Sequence, residues 1–267
     1  MAAPDLPPPP PHVITERPLA VHLHVKLVTP ESLAGSVVIV IDAIRASATI
    51  CQAFASGAAS VLPTLSIDEA VSLRAKLAND GGPPILLGGE RGGVMPPGFD
   101  LDNSPPKYTP ERVRGKRMAF STTNGTAALL HARQAARVLV GSMLNIGAIC
   151  REVEHDPRPV HILCCGTRDE ISQDDILPAG AMVERLLAAG RQIVSDDSAR
   201  LALLAWRGAK VVGVEHAMGD SRGGRNLHRI GLAGDVAYCS RVDTLDVVPE
   251  FFPARGEITL AAAARQQ

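Results

Sequence analysis

The chain has 267 residues, 46% hydrophobic and only 3% aromatic, with five cysteines and a formal net charge of −1. This suffices for one large α/β domain or two small ones, with a core built from Ala, Val, Leu and Ile. Near-neutral charge gives no electrostatic reason to expect DNA, RNA or an anionic membrane, so a small molecule is the default partner.

No apolar run approaches the roughly 18 residues of a membrane span, and the N-terminus lacks the basic and apolar regions of a signal peptide. An odd number of cysteines without CxxC spacing points away from a disulfide framework or structural zinc. The expectation is a soluble, cytoplasmic protein, with a homo-oligomer left open.

Taken in order, residues 1–17 form a proline-rich tail with Pro7 to Pro11 consecutive, leaving 18–267 as a single domain. Residues 22–25 (HLHV) alternate like a strand and would place His22 and His24 on one face. Residues 36–41 (SVVIVI) read as a strand buried on both faces. Asp42 follows at its carboxyl end, where open α/β sheets place ligands, with Arg45 in the turn before a helix over 49–56.

A second strand is expected over 61–65, a Ser66-capped helix over 67–77, and a turn over 79–84. A short strand over 85–87 then opens into residues 88–105, a stretch too long and proline-rich for a plain connector. Glycines flank Glu90 and Arg91 there and allow close backbone approach, so this reads as a binding loop. The basic run 112–117 reads as a solvated turn.

Residues 117–130 (RMAFSTTNGTAALL) are the centre of the chain. A strand end at 118–120 enters the turn Ser121, Thr122, Thr123, Asn124, Gly125 and Thr126, then a helix. Such a turn offers hydroxyls, backbone amides and the positive end of a helix dipole to one anion, most simply a phosphate. Its equal alternative is an ordinary capped helix, since the Walker spacing and lysine are absent.

Another strand spans 136–140, leading through Asn145 to a helix ending near Val153. Residues 160–164 form a further buried strand, followed by Cys165, Gly166, Glu170, Asp174 and Asp175 before a helix over 179–189. A cysteine phosphatase places an Arg six positions after its nucleophile. Ile171 and Glu170 stand there instead, so a thiolate mechanism is rejected. Adjacent carboxylates after a strand suit Mg²⁺, or simply start the helix.

A helix is expected over 195–206 and a strand over 211–214. Residues 221–229 read as a basic, glycine-containing loop that either contacts an anion or lies solvated. Residues 235–239 and 244–248 finish the domain before a short polar tail.

Carboxylates at Asp42, Glu90, Asp174 and Asp175, guanidiniums at Arg45 and Arg91, and the 121–126 turn together suggest Mg²⁺-assisted phosphoryl transfer. Without a nucleotide motif, hydrolysis of a small phosphomonoester is the simplest reaction. A non-catalytic phosphate-ligand sensor is the alternative of another class. A dinucleotide oxidoreductase is weakened by the missing GxGxxG.

The stretches IDAIRAS, GERGG with GFDLDNSP, STTNGT, CGT through Asp174-Asp175 with AGA, and GDVAYC with VVPE resemble the 2-phosphosulfolactate phosphatases, the ComB family. The likeness runs over nearly everything after the proline tail, with the motifs in order.

The resemblance implies a three-layer α/β/α sandwich with a mainly parallel or mixed sheet. It also implies Mg²⁺-dependent conversion of (2R)-2-phospho-3-sulfolactate to 3-sulfolactate and phosphate, as in coenzyme M biosynthesis. Matching positions are Asp42, Arg45, Glu90, Arg91, Asn103, Ser104, the 121–126 turn, Cys165, Gly166, Glu170, Asp174 and Asp175. By this likeness Asp42, Glu90 and Asp174 or Asp175 hold metal or carry protons, Arg45, Arg91 and the turn hold phosphate, and Arg225 meets the sulfonate.

Three positions depart from the family pattern: Asp102 for Gly, Asp174 for Glu and Pro178 for Cys. The shorter Asp174 alters metal reach. A related phosphorylated hydroxy acid would present nearly the same charges as the sulfonated substrate.

Overall fold

A computed structural model describes residues 16–80, 83–194 and 197–261. The proline run, positions 81–82 of the expected turn and positions 195–196 of the expected helix start lie outside the described residues.

Ten strands build one mixed sheet among the described residues. They are β1 (Pro18–His22), β2 (Val37–Ile41), β3 (Ser60–Thr64), β4 (Leu86–Gly89), β5 (Arg117–Ser121), β6 (Arg137–Val140), β7 (Val160–Cys164), β8 (Gln192–Ile193), β9 (Pro249–Phe252) and β10 (Glu257–Leu260). The helices are α1 (Ala46–Ala55), α2 (Ile67–Asn79), α3 (Pro110–Val113), α4 (Gly125–His131), α5 (Ile146–Val153), α6 (Gln173–Ala188), α7 (Asp197–Val212), α8 (Val214–Gly219), α9 (Arg222–Arg229) and α10 (Ala233–Cys239).

The strand order is β4-β5-β3-β10-β9-β6-β2-β7-β1-β8. β6, β2, β7, β1 and β8 form one parallel group, and β4, β5 and β3 form a second. The hairpin β9–β10 joins them through three antiparallel pairings, so the two groups run in opposite directions.

All five residues of β2 are buried, as the continuous β-branched run requires. Ile39 and Ile41 face the core shared with α5, α6 and α7. Val38 and Val40 face the other side, in one cluster with Phe54 of α1 and with Met118 and Phe120 of β5. Residues of both strand groups thus meet in one cluster, and Asp42 at the end of β2 feels the charge of Glu90 after β4, so the sheet curls and draws together strand ends that a flat sheet would hold far apart. A third cluster packs α2 against Leu87 and Ala119.

The structure corrects several expectations. Residues 211–214 are not a strand. They are the end of α7, Gly213 with φ 98° and the start of α8. Val211 is 85% exposed, so β propensity without a neighbouring strand loses to continuation of the helix.

The basic stretch 221–229 is helical rather than a loop, opened by Ser221, whose Oγ accepts the Gly224 N–H at 2.9 Å. Residues 233–239 are also helical. The expected polar tail after 248 includes β9 and β10, at the middle of the sheet. β1 ends at His22, and His24 caps the next short turn by accepting the Lys26 N–H, so the two histidines do not share a strand face. α6 begins six residues early, which puts Asp174 and Asp175 inside its first turn.

Candidate active site

At the end of β2 the chain turns sharply into α1: the Asp42 N–H donates to Ser47 Oγ at 2.9 Å, and Ser47 N–H returns to the Asp42 carbonyl at 2.8 Å. This tight turn leaves the Asp42 carboxylate beside the N–H groups of Ala46 and Gly125, which donate to it. Gly125 comes so close that a Cβ there would lie 3.1 Å from Asp42 Oδ2.

Glu90 follows β4 and is held by the 121–126 turn. Its Oε1 accepts Thr123 N–H at 3.0 Å and the Thr123 hydroxyl at 2.9 Å, while Oε2 accepts Gly93 N–H at 2.6 Å. The turn does gather donors as its composition suggests, but the chain's own carboxylates already engage two of its amides. Arg91 donates to Glu90 O at 2.7 Å, Leu65 O at 2.9 Å and Ser121 Oγ at 2.8 Å, with no carboxylate partner among the described residues.

Arg45 donates to Asp235 Oδ2 at 2.5 Å and to Gly93 O at 2.9 Å. Ser104 Oγ donates to the other Asp235 oxygen at 2.6 Å. Asp235 is thus a buried anchor that fixes Arg45 and the end of the 88–105 loop together. Asn103 is buried and its Oδ1 has no hydrogen-bond partner among the described residues.

These elements surround a cleft of about 550 Å³. Of the expected site residues it is lined by Asp42, Arg45, Glu90, Arg91, Asn103, Thr123, Asn124 and Arg225. The others lie behind or beside it. Ser121 is fully buried and bonded to Arg91, and Thr122, Gly125 and Thr126 line a smaller hollow on the far side of Asp42. Cys165 is buried and its N–H donates to Ile41 O. Glu170 pairs with Arg222.

Asp175 is a clamp: Oδ1 accepts Ala43 N–H and Oδ2 accepts Gly166 N–H, each at 2.8 Å, tying the end of β2 to the end of β7. Asp174 accepts the Ser172 hydroxyl at 2.5 Å and lies under Gly223, where a Cβ would meet its Oδ2 at 2.8 Å.

The carboxylates disfavour one another's charge. Burial, then Glu90 and Asp174, push the Asp42 carboxyl from 3.8 up to about 7. Burial also raises Asp174, and burial with Asp174 and Asp42 holds Asp175 well above the ordinary range. Burial and Asp42 keep the Cys165 thiol protonated, which agrees with rejecting a thiolate nucleophile.

No three His, Cys, Asp or Glu side chains among the described residues form a ready metal cluster. The carboxylates on the cleft wall are the pair Asp42 and Glu90. That pair suits Mg²⁺, which commonly takes one or two carboxylates and completes its shell with water and substrate phosphate. A cation there would offset the burial and the carboxylate repulsion that together raise Asp42.

The sequence reading missed Asp235, Arg168, Arg222 and Arg229 as individual site residues, and the last three also line the cleft. Treating 222–229 as a helix would have found two of them, since Arg222, Arg225 and Arg229 stand at i, i+3 and i+7 on one helical face.

A family model described as 2-phosphosulpholactate phosphatase matches residues 23–252. Proteins named probable 2-phosphosulfolactate phosphatase are similar over most of the chain. One from Symbiobacterium thermophilum is 40% identical over 86% of this chain and 96% of its own length. One from Deinococcus radiodurans is 37% identical over 88% and 95%. A third, from Caldanaerobacter subterraneus, is 36% identical over 80% and 86%.

Proposed function

Because this chain belongs to the 2-phosphosulfolactate phosphatase family, we propose that it is a phosphoric monoester hydrolase acting on (2R)-2-phospho-3-sulfolactate, releasing 3-sulfolactate and phosphate in a reaction of the coenzyme M type. The observation that carries this reading is the cleft itself. Asp42 and Glu90 line it together with Arg45 and Arg91.

Asp42 and Glu90 would hold Mg²⁺, which supplies Lewis-acid neutralisation of phosphoryl charge. Arg91 and Arg45 would face the phosphoryl oxygens, and Asp235 keeps Arg45 oriented, so little reorganisation would be needed as charge develops. The amide-rich turn acts mainly through Glu90, by fixing its two oxygens. Asp175 maintains the spacing of β2 and β7, and Asp174 adds negative potential beneath Asp42.

Five buried free cysteines fit a reducing compartment, and we assign the enzyme to the cytoplasm. No helix among the described residues is long and apolar enough to cross a membrane.

The test is phosphate release from 2-phosphosulfolactate with Mg²⁺ and then with excess EDTA, beside 2-phospholactate and phosphoglycerates. Metal-dependent release strongest for the sulfonated ester is expected. Release strongest for another ester would move the substrate, and none from any would refute the reading.

A further inference from the structure

One glycine joins the two walls of the cleft. Gly93 lies in the loop after β4; its N–H donates to Glu90 Oε2 at 2.6 Å, and its carbonyl accepts from Arg45 Nη2 at 2.9 Å. Arg45 belongs to the turn between β2 and α1, on the other parallel group. Thr123 holds the second Glu90 oxygen, and Asp235, itself bonded to Ser104, holds the other end of the guanidinium. A continuous hydrogen-bonded chain thus runs from Thr123 through Glu90, Gly93, Arg45 and Asp235 to Ser104, with Gly93 as a central link. Such a chain responds as a unit rather than as separate pairs.

The turn that presents Gly93 is tight. Arg91 and Val94 exchange backbone hydrogen bonds at 3.0 and 3.2 Å around Gly92 at φ 62° and Gly93 at φ 88°. Both glycines lie in the left-handed region, as a two-residue hairpin turn requires. The tip is pressed against the end of α9: a Cβ on Gly93 would lie 2.9 Å from Ile230 Cδ1. Gly92 is different. It is exposed, and a Cβ there meets nothing within 4 Å among the described residues, so a side chain at 92 acts on the turn through its φ alone.

Glu90 and Arg45 are each held on their own side by Thr123 and Asp235. What Gly93 adds is their separation. A cation on Glu90 and a phosphoryl group on Arg45 attract one another with an energy that falls with distance, so this separation decides how far binding of one favours the other.

Resting on the phosphatase reading above, we infer that the Gly92-Gly93 turn is a spacer that fixes the carboxylate of one wall against the guanidinium of the other, and that Gly92 is a positioning residue acting through Gly93. The two glycines serve the chain's own geometry rather than the close approach of a ligand.

The test uses the full-length protein and its G92N, G92A and G92V variants. Tolerance of a left-handed φ falls from Asn through Ala to Val, whereas in size Ala is the smallest and Asn and Val are alike. Calorimetry measures Mg²⁺ alone, inorganic phosphate alone, and phosphate in saturating Mg²⁺, and steady-state kinetics on 2-phosphosulfolactate accompanies it. In G92V the affinity for each ion alone should change little, because Thr123 and Asp235 still hold Glu90 and Arg45. Affinity for phosphate in saturating Mg²⁺ should fall at least about 10-fold, the scale of a coupling between two sites, and kcat/KM should fall with it. G92N should stay close to the unmodified protein on every measure, with G92A between. A loss ordered by size, with G92N as impaired as G92V, would overturn the inference by placing position 92 against the ligand. Equal losses for each ion alone, or an unchanged joint affinity in G92V, would overturn it too. These outcomes leave the phosphatase reading standing. An unmodified protein that binds neither ion and releases no phosphate from 2-phosphosulfolactate sinks that reading and the spacer together.

Discussion

Replacing Asp42 with Asn separates chemistry from stability. Ionising a carboxyl raised from 3.8 to about 7 costs the folded metal-free protein about 4 kcal/mol, at about 1.4 kcal/mol per tenfold change in the proton equilibrium. Because the folded value lies above the unfolded one, the stability contributed by this group is full below pH 4, is lost as pH rises through 7, and is constant above. Asn removes the charge and with it that loss. It also turns an NH₂ toward one of the two backbone donors, Ala46 or Gly125, which offsets roughly 1–3 kcal/mol. D42N should therefore be more stable than the unmodified protein by about 1–3 kcal/mol at pH 8 and less stable at pH 4.5. The melting curves, taken in EDTA, should cross by several degrees. Phosphatase activity should fall at least about 10²-fold, the usual scale for one preorganised electrostatic group. Variant melting points lower by the same margin at both pH values would refute the electrostatic argument. Retained turnover would reduce Asp42 to a turn residue.

Protons and Mg²⁺ should compete at Asp42, so the Mg²⁺ affinity measured by calorimetry is expected to weaken about tenfold per pH unit below 7 and to level off above. D235N should lower kcat/KM by 10- to 100-fold and destabilise by about 3–5 kcal/mol, as breaking a buried pair does; chemical denaturation and kinetics check the two together. Gly166→Ala should cost more than about 2 kcal/mol in the same denaturation assay. Its φ is 72°, and its Cβ would come within 2.0 Å of the His24 ring.

The parts of the fold legible in the sequence are those where local pattern and burial agree. The β-branched run of β2, the Ser66 cap of α2 and the strand ends at Asp42 and Glu90 are all recovered, because a fully buried strand leaves a continuous apolar signature. The hairpin β9–β10 was not legible. Its four-residue strands draw their stability from pairing with distant β3 and β6, which composition does not record. Within the site, residue types were readable and partners were not. The turn 121–126 looks equally suited to phosphate or to a carboxylate, and only the approach of Glu90 to Thr123 shows which it holds in the folded chain. Asp235 stayed hidden for the same reason, since its importance lies in two side chains more than 130 positions away.

The hairpin also sets an order of assembly. Asp42 rides on one parallel group and Glu90 on the other, and among the described residues the groups connect within the sheet through β9 and β10 alone. During translation both groups emerge long before the strands that join them. A nascent chain can therefore possess nearly every residue of the cleft and still be inactive, because its two walls are not yet in register. Chains ending at Val248 should bind neither metal nor substrate, and activity on the ribosome should switch on only as the final hairpin clears the exit tunnel.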